Sequence, residues 1–147
     1  MDSAITLANT VLQRALRNAT VESFGLAHQI PYLEFRDNQT EDHVLSIQTD
    51  VTSNIVFEKA LGLTDEEKLL LLFNRVNLCS VTCIECDEHA NLVIVFDNGV
   101  QLRFAGNPDG GYEPWQVGSR TDLEMGGYLV VATHAGGYAI WDCTSKL

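Results

Sequence analysis

The apolar positions change period along the chain, and those changes separate helices from strands. Ile5, Ala8, Val11, Leu12, Ala15 and Leu16 recur three and four residues apart, with Asn9, Gln13, Arg14 and Arg17 between them. That spacing predicts an amphipathic helix of about three turns. From Thr20 the period drops to two. Residues 20–24, 32–36 and 44–48 alternate as strands do, and the polar stretch 37–42 reads as a hairpin loop between the last two. A second helix has a clear start in Thr64-Asp65-Glu66-Glu67, a capping box in which Thr64 serves the Glu67 amide and Glu67 reaches back. The three acids also complement the positive end of the helix, and the apolar block 69–73 is expected to bury it against a sheet.

Strand text resumes with Leu92-Val93-Ile94-Val95-Phe96, then Asp97-Asn98-Gly99, then Val100-Gln101-Leu102-Arg103-Phe104. Asn98-Gly99 predicts a two-residue type I′ turn, whose central positions both need positive φ. Such a turn pairs Val95 with Leu102 and Val93 with Phe104 on an apolar face, leaving Ile94 and Phe96 with Arg103 and Gln101 on a mixed one. Residues 128–132 and 138–141 form a last pair around Ala135-Gly136-Gly137. The segment from Val21-Glu22-Ser23 to Phe35 resembles that from Ile84-Glu85-Cys86 to Phe96. The expected fold is therefore a single α+β domain over residues 1–147, mostly β. Two similar helix-plus-antiparallel-meander halves, approximately 1–53 and 64–142, are expected to pack as one sheet-rich domain.

With 46% hydrophobic and 20% charged residues, the 147-residue chain has a globular composition and enough length for a core. No apolar run approaches the ~18 residues of a membrane span. The start Met1-Asp2-Ser3 lacks the pattern of a signal peptide, so a cytoplasmic location is expected. Twenty acids against nine bases give a net charge of -11. Such a surface repels phosphate backbones and anionic lipid, which disfavours nucleic acid and membrane as partners, and it steers a basic protein inward. The plainer alternative is that the acidity serves solubility.

Candidate chemistry is sparse. Cys79-x-x-x-Cys83-x-x-Cys86 has the spacing of a three-thiolate cluster loop, and with His89 that of a Cys₃His zinc site. The intervening residues are β-favouring, however, so Cys83 and Cys86 fall on opposite faces, and Cys79 lies about 13 Å from Cys83 along a strand. No metal and no cofactor are expected, and the cysteines read as buried free thiols. His28, His43, His89 and His134 are scattered, with no metal-type pair, nucleophile elbow or phosphate loop. A Cys–His pair such as Cys86 with His134 can meet only in space; core thiol and surface imidazole is the plainer reading, and no catalytic residue is expected. The pairs Gly110-Gly111, Gly126-Gly127 and Gly136-Gly137 read as turns. In Tyr112-Glu113-Pro114-Trp115 the proline forces extended chain and suits an edge strand. Trp115 either plugs the end of a β core or forms, with Tyr112, an aromatic anchor at a protein interface. Glu113, Asp87 and Glu88 complete that candidate partner-binding set.

Three elements of the second half carry a resemblance: Phe96-Asp97-Asn98-Gly99 with Leu102, then Tyr112-Glu113-Pro114-Trp115-Gln116, then Gly136-Gly137-Tyr138-Ala139-Ile140-Trp141. Residues 92–142 resemble an uncharacterised family of small bacterial proteins. Similar domains belong to the neighbourhood of polymorphic toxin systems, in which small acidic cytoplasmic proteins neutralise a cognate toxin. The resemblance implies a non-catalytic, immunity-type protein-binding role and supplies no catalytic residues. The first half departs from it by lacking the aromatic ending. Two other readings stand beside it: a homo-oligomeric structural or regulatory protein, a homodimer for instance, joined through β edges, and a small enzyme or ligand-binding barrel.

Overall fold

The computed structural model describes residues 3–106 and 111–144. Helix α1 (Ser3–Leu16) turns Ala8, Val11, Leu12, Ala15 and Leu16 inward, the stripe its spacing predicts. Strands β1 (Thr20–Ala27), β2 (Ile30–Arg36) and β3 (Asp42–Ile47) follow as an antiparallel meander, and the short β4 (Val51–Ser53) leaves for a second sheet. Helix α2 (Asp65–Val76) begins with the expected capping box. Thr64 Oγ1 accepts from the Glu67 amide at 3.1 Å, and Glu67 Oε1 accepts from the Thr64 amide at 2.9 Å. Its buried face is narrower than the block 69–73 suggests. Leu72, Phe73 and Val76 are buried while Leu71 is exposed, because successive helical residues point about 100° apart. Phe73 meets Phe24 of β1 edge to face at 6.4 Å.

Strands β5 (Val81–Cys86), β6 (Leu92–Phe96) and β7 (Gln101–Phe104) form a second meander. Strand β8 (Trp115–Ser119) crosses back to pair with β3, and β9 (Tyr128–Ala132) and β10 (Tyr138–Asp142) extend that sheet. One sheet has the order β1-β2-β3-β8-β9-β10 and the other β4-β7-β6-β5, with every pairing antiparallel. The protein is α+β and mostly β. Each meander follows a helix through one residue of positive φ (Asn18, Leu78), carries a bulge in its first strand, and sends its next strand to the other sheet. The likeness stops there. Strands β9 and β10 have no counterpart in the first half, and the meanders lie in two sheets, so the architecture does not establish the expected repeat over 64–142.

The Asn98-Gly99 hairpin differs from its prediction by one residue. The Phe96 amide donates to the Val100 carbonyl at 2.9 Å and the Gly99 amide to the Phe96 carbonyl at 2.9 Å. The loop is therefore Asp97-Asn98-Gly99, with Gly99 at φ 86° and Asn98 outside the positive-φ region. This is the geometry of a three-residue loop whose glycine makes a bulge. One residue more in the loop moves every pairing: Ile94 opposes Leu102, Leu92 opposes Phe104, and Val93 and Val95 oppose Arg103 and Gln101. One face is still wholly apolar, with different members. Gly99→Val should destabilise the protein by on the order of 1 kcal/mol or more, since a β-branched residue resists positive φ. Chemical denaturation measures this, and an unchanged midpoint would contradict the assigned loop.

Helix α1 packs on β5 of the four-stranded sheet and on β9 and β10 of the six-stranded one, and α2 packs on β1, on the buried side of the six-stranded sheet marked by Leu33, Leu45 and Val117. One core joins both helices and both sheets, with Trp115, Phe35, Phe73, Phe96 and Phe104 among its largest members. Neither helix is long and apolar enough to cross a membrane. The other face of the sheet is covered by neither helix.

Candidate functional site

Trp115 opens β8 and is 1% exposed. Its indole N–H donates to the Ala90 carbonyl at 2.7 Å, and its ring lies 6.0 Å from that of Tyr138. It plugs the core and does not reach the surface as an anchor. Pro114 is also buried, and its carbonyl accepts from the Gln48 amide at 2.8 Å. It leads into a central strand, where the sequence suggested an edge; standing just before β8, it takes no donor from the ladder. Tyr112 is 65% exposed and Glu113 is exposed beside it.

Asp87 and Glu88 have different fates. Asp87 Oδ1 accepts from the amides of His89 (2.9 Å) and Asn91 (3.0 Å), and Oδ2 accepts from the Asn91 side chain at 3.1 Å. Burial works against its charge, but these bonds and Arg103 outweigh it and hold the carboxyl below its ordinary range. Asp87 therefore organises the 87–91 turn, while Glu88 is exposed. Trp115 and the Tyr138 hydroxyl clamp this turn through the carbonyls of Ala90 and Asp87. Gly106 donates to Asn91 Oδ1 at 3.0 Å, and a Cβ there would stand 1.9 Å from the His89 carbonyl oxygen, so only glycine fits. The turn carrying Glu88 is thus tied from beneath to the segment carrying Tyr112 and Glu113, with Trp115 as the tie.

Glu113 also borders a groove of about 470 Å³ on the helix-free face of the six-stranded sheet. Its lining includes Leu26, Ile30, Tyr32, Val44, Ser46 and Gln116. The register explains the set, since directly opposed residues share a face: Tyr32, Ser46, Gln116, Val131 and Ala139 form one row, and Glu34, Val44, Gly118, Leu129 and Trp141 the next. Arg120 lines the groove and its Nε binds Glu34 at 2.8 Å, and Arg36 Nε lies 3.0 Å from Asp42 and 3.6 Å from Glu22. The groove is therefore mixed: Leu26, Ile30, Tyr32 and Val44 lie beside Ser46 and Gln116, with Glu113 and Arg120 among the lining.

A second constellation has no sequence motif behind it. His43 is 5% exposed, with Nδ1 2.8 Å from the Tyr128 hydroxyl and Nε2 2.8 Å from Asp37 Oδ2. In the neutral tautomer that satisfies all three groups, Tyr128 donates to Nδ1 and Nε2–H donates to Asp37. The three residues line a cavity of about 300 Å³ with Arg14, Thr121 and Met125. Burial pushes the Tyr128 hydroxyl far above its ordinary range, which makes it a poor acid or base near neutrality. The adjacent Ser119 hydroxyl is already engaged, donating to the Thr121 carbonyl and accepting from the Tyr128 amide. The network pins the 37–42 loop to β9. One signal of it was readable: His43 sits in phase with Leu45 and Ile47, a polar residue at a buried position.

Burial works against the Asp37 charge too, and is outweighed by bonds from His43 and the Glu41 and Gln39 amides. The bidentate Arg14 pair holds Asp142 well below the carboxylate range. Carboxyl groups lowered on folding contribute stability that is complete above the unfolded value of about 3.9 and lost as pH falls through the folded values. The melting temperature should therefore fall steeply below about pH 4. Asp37→Asn should flatten that fall, and an identical acid profile in the variant would contradict the assignment.

Cys83 is exposed, contrary to the expectation of buried thiols; Cys86 is buried, and Cys79 and Cys143 are half-buried. The first strand residues of β5 are bulged, which leaves Cys83 on the outer face opposite Val95. Burial pushes the Cys86 thiol up, and its neighbour is Tyr138, while His134 is exposed on the β9–β10 turn. Such a thiol makes a poor nucleophile. Among the described residues, no three His, Cys, Asp or Glu side chains are grouped to hold a metal ion. Gly110 lies outside the described residues. Comparison of the chain with protein-family models, with curated proteins and with solved structures found no match.

Proposed function

We propose that this is a non-catalytic cytoplasmic protein that binds a basic protein partner, as an immunity-type neutraliser of a cognate toxin does. The observation that carries the reading is the groove on the helix-free sheet face, bordered by Glu113 next to the exposed Tyr112 in sequence, in a chain of net charge -11. Leu26, Ile30, Tyr32 and Val44 supply apolar contact area once water is expelled, and the excess acid attracts the partner from a distance. Tyr112, Glu113 and Glu88 are the exposed members of the partner-binding set; Trp115 and Asp87 support them from below. The resemblance of residues 92–142 to an uncharacterised family of small bacterial proteins, with similar domains in the neighbourhood of toxin systems, is consistent with that reading.

Co-expression with the product of the adjacent gene, followed by size-exclusion chromatography, tests this reading. A stoichiometric complex is expected. Recovery of the chain without that product would contradict it.

A further inference from the structure

We propose that the protein forms a homodimer in which β10 pairs antiparallel with β10 of a second copy, about a twofold axis at Ile140. The two sheets have four edges, and three are blunted. Strand β1 carries a bulge and its first residues are bridged to Ser80; β5 carries a bulge at the same junction; β4 has only three residues. These are common devices against edge-to-edge pairing. Strand β10 has five residues in unbroken register with β9, and its sequence Tyr-Ala-Ile-Trp-Asp contains no proline, glycine or lysine.

The phase of its hydrogen bonds is set at both ends. The Thr133 amide donates to the Gly137 carbonyl at 2.9 Å, and the Cys143 amide to the Gly127 carbonyl at 3.0 Å. Odd-numbered residues of β10 therefore bond to β9, and the amides and carbonyls of Tyr138, Ile140 and Asp142 face away from the sheet. A twofold axis at Ile140 matches this set to itself, Ile140 to Ile140 and Tyr138 to Asp142 of the second copy, for about six main-chain bonds. On the helix-free face the same axis sets Trp141, 47% exposed, opposite Ala139 of the second copy. These are non-hydrogen-bonded pairs, where side chains stand closest, and each joins a large residue to a small one.

Charge also selects the occupant. The acid at this edge is neutralised, since Arg14 of α1 holds Asp142 at 2.9 Å. The edge therefore lacks the pull on a basic segment that the rest of the surface exerts. A strand pair alone falls short of the roughly 1,200–2,000 Å² that stable interfaces bury. Helix α1, which packs on β10 and holds its end through Arg14, can add area, with Leu7, 45% exposed, two turns before Arg14 on the same stripe. The groove, on β1, β2, β3 and β8, stays free, so dimerisation is independent of the proposed partner reading.

Sedimentation velocity of the wild-type chain up to about 100 µM, at low and high salt, tests the proposal. A dimer is expected that tightens with added salt, because screening relieves repulsion between two copies of charge -11. Ile140→Pro removes an outward amide while sparing the β9 ladder, and should leave a monomer. Should that variant not fold, Trp141→Asp decides, since it alters an exposed side chain; it should weaken the dimer at least about tenfold. A folded wild-type protein that stays monomeric at high salt would overturn the proposal. So would a dimer that the folded variants leave intact.

Discussion

Trp115→Ala should lower the unfolding free energy by about 3–5 kcal/mol, the usual cost of removing a large buried aromatic ring. The ring is fully buried against Tyr138, and its N–H satisfies the Ala90 carbonyl at 2.7 Å. Truncation leaves both a cavity and an unpaired buried acceptor. Domains of this size have only about 5–15 kcal/mol to lose, so the variant should be close to unfolding at 37 °C. Trp115→Phe keeps much of the volume and loses the N–H, and should fall between the two. Urea denaturation of the three proteins gives the series. An unchanged midpoint for the alanine variant would mean that the ring is not part of the core, and would restore it as a surface anchor.

The second large effect is on binding and leaves stability alone. Gln116 is exposed on the groove floor between Ser46 and Val131. Gln116→Arg places a positive charge in the middle of the groove proposed as the docking site for a basic partner. Like charges brought together at an interface cost enough to weaken binding by about tenfold to a hundredfold. Because the side chain points away from the core, the melting temperature should hardly move. Titration of the folded variant against the adjacent gene product measures the loss. Equal affinity for variant and wild type would place the contact elsewhere on the surface.

The elements themselves were legible because each is announced locally. The α1 stripe, the Thr64 box and the alternation of β2 and β3 are patterns within a few residues, and all three appear as read. The Asn98-Gly99 turn was legible in kind but not in length. Both the two-residue and the three-residue loop need glycine at positive φ, and only the Phe96–Val100 bonding separates them. Of the two readings open for Trp115, the core plug is the one found, and its phase with buried Val117 is the local signal that favours it. The exchange of β4 and β8 between sheets had none, since strand partners are chosen by contacts far apart in the chain. The same holds for the Asp37–His43–Tyr128 network, whose third member lies 85 residues from the second.

The salt dependence of the association rate with the adjacent gene product tests the central claim most directly. A partner drawn in by a charge of -11 should associate fast at low ionic strength. The rate should fall by tenfold or more as the Debye length shrinks from about 30 Å at 0.01 M to about 3 Å at 1 M salt, while the dissociation rate changes far less. An association rate independent of salt, or one that rises with it, would contradict recognition of a basic partner by this acidic surface.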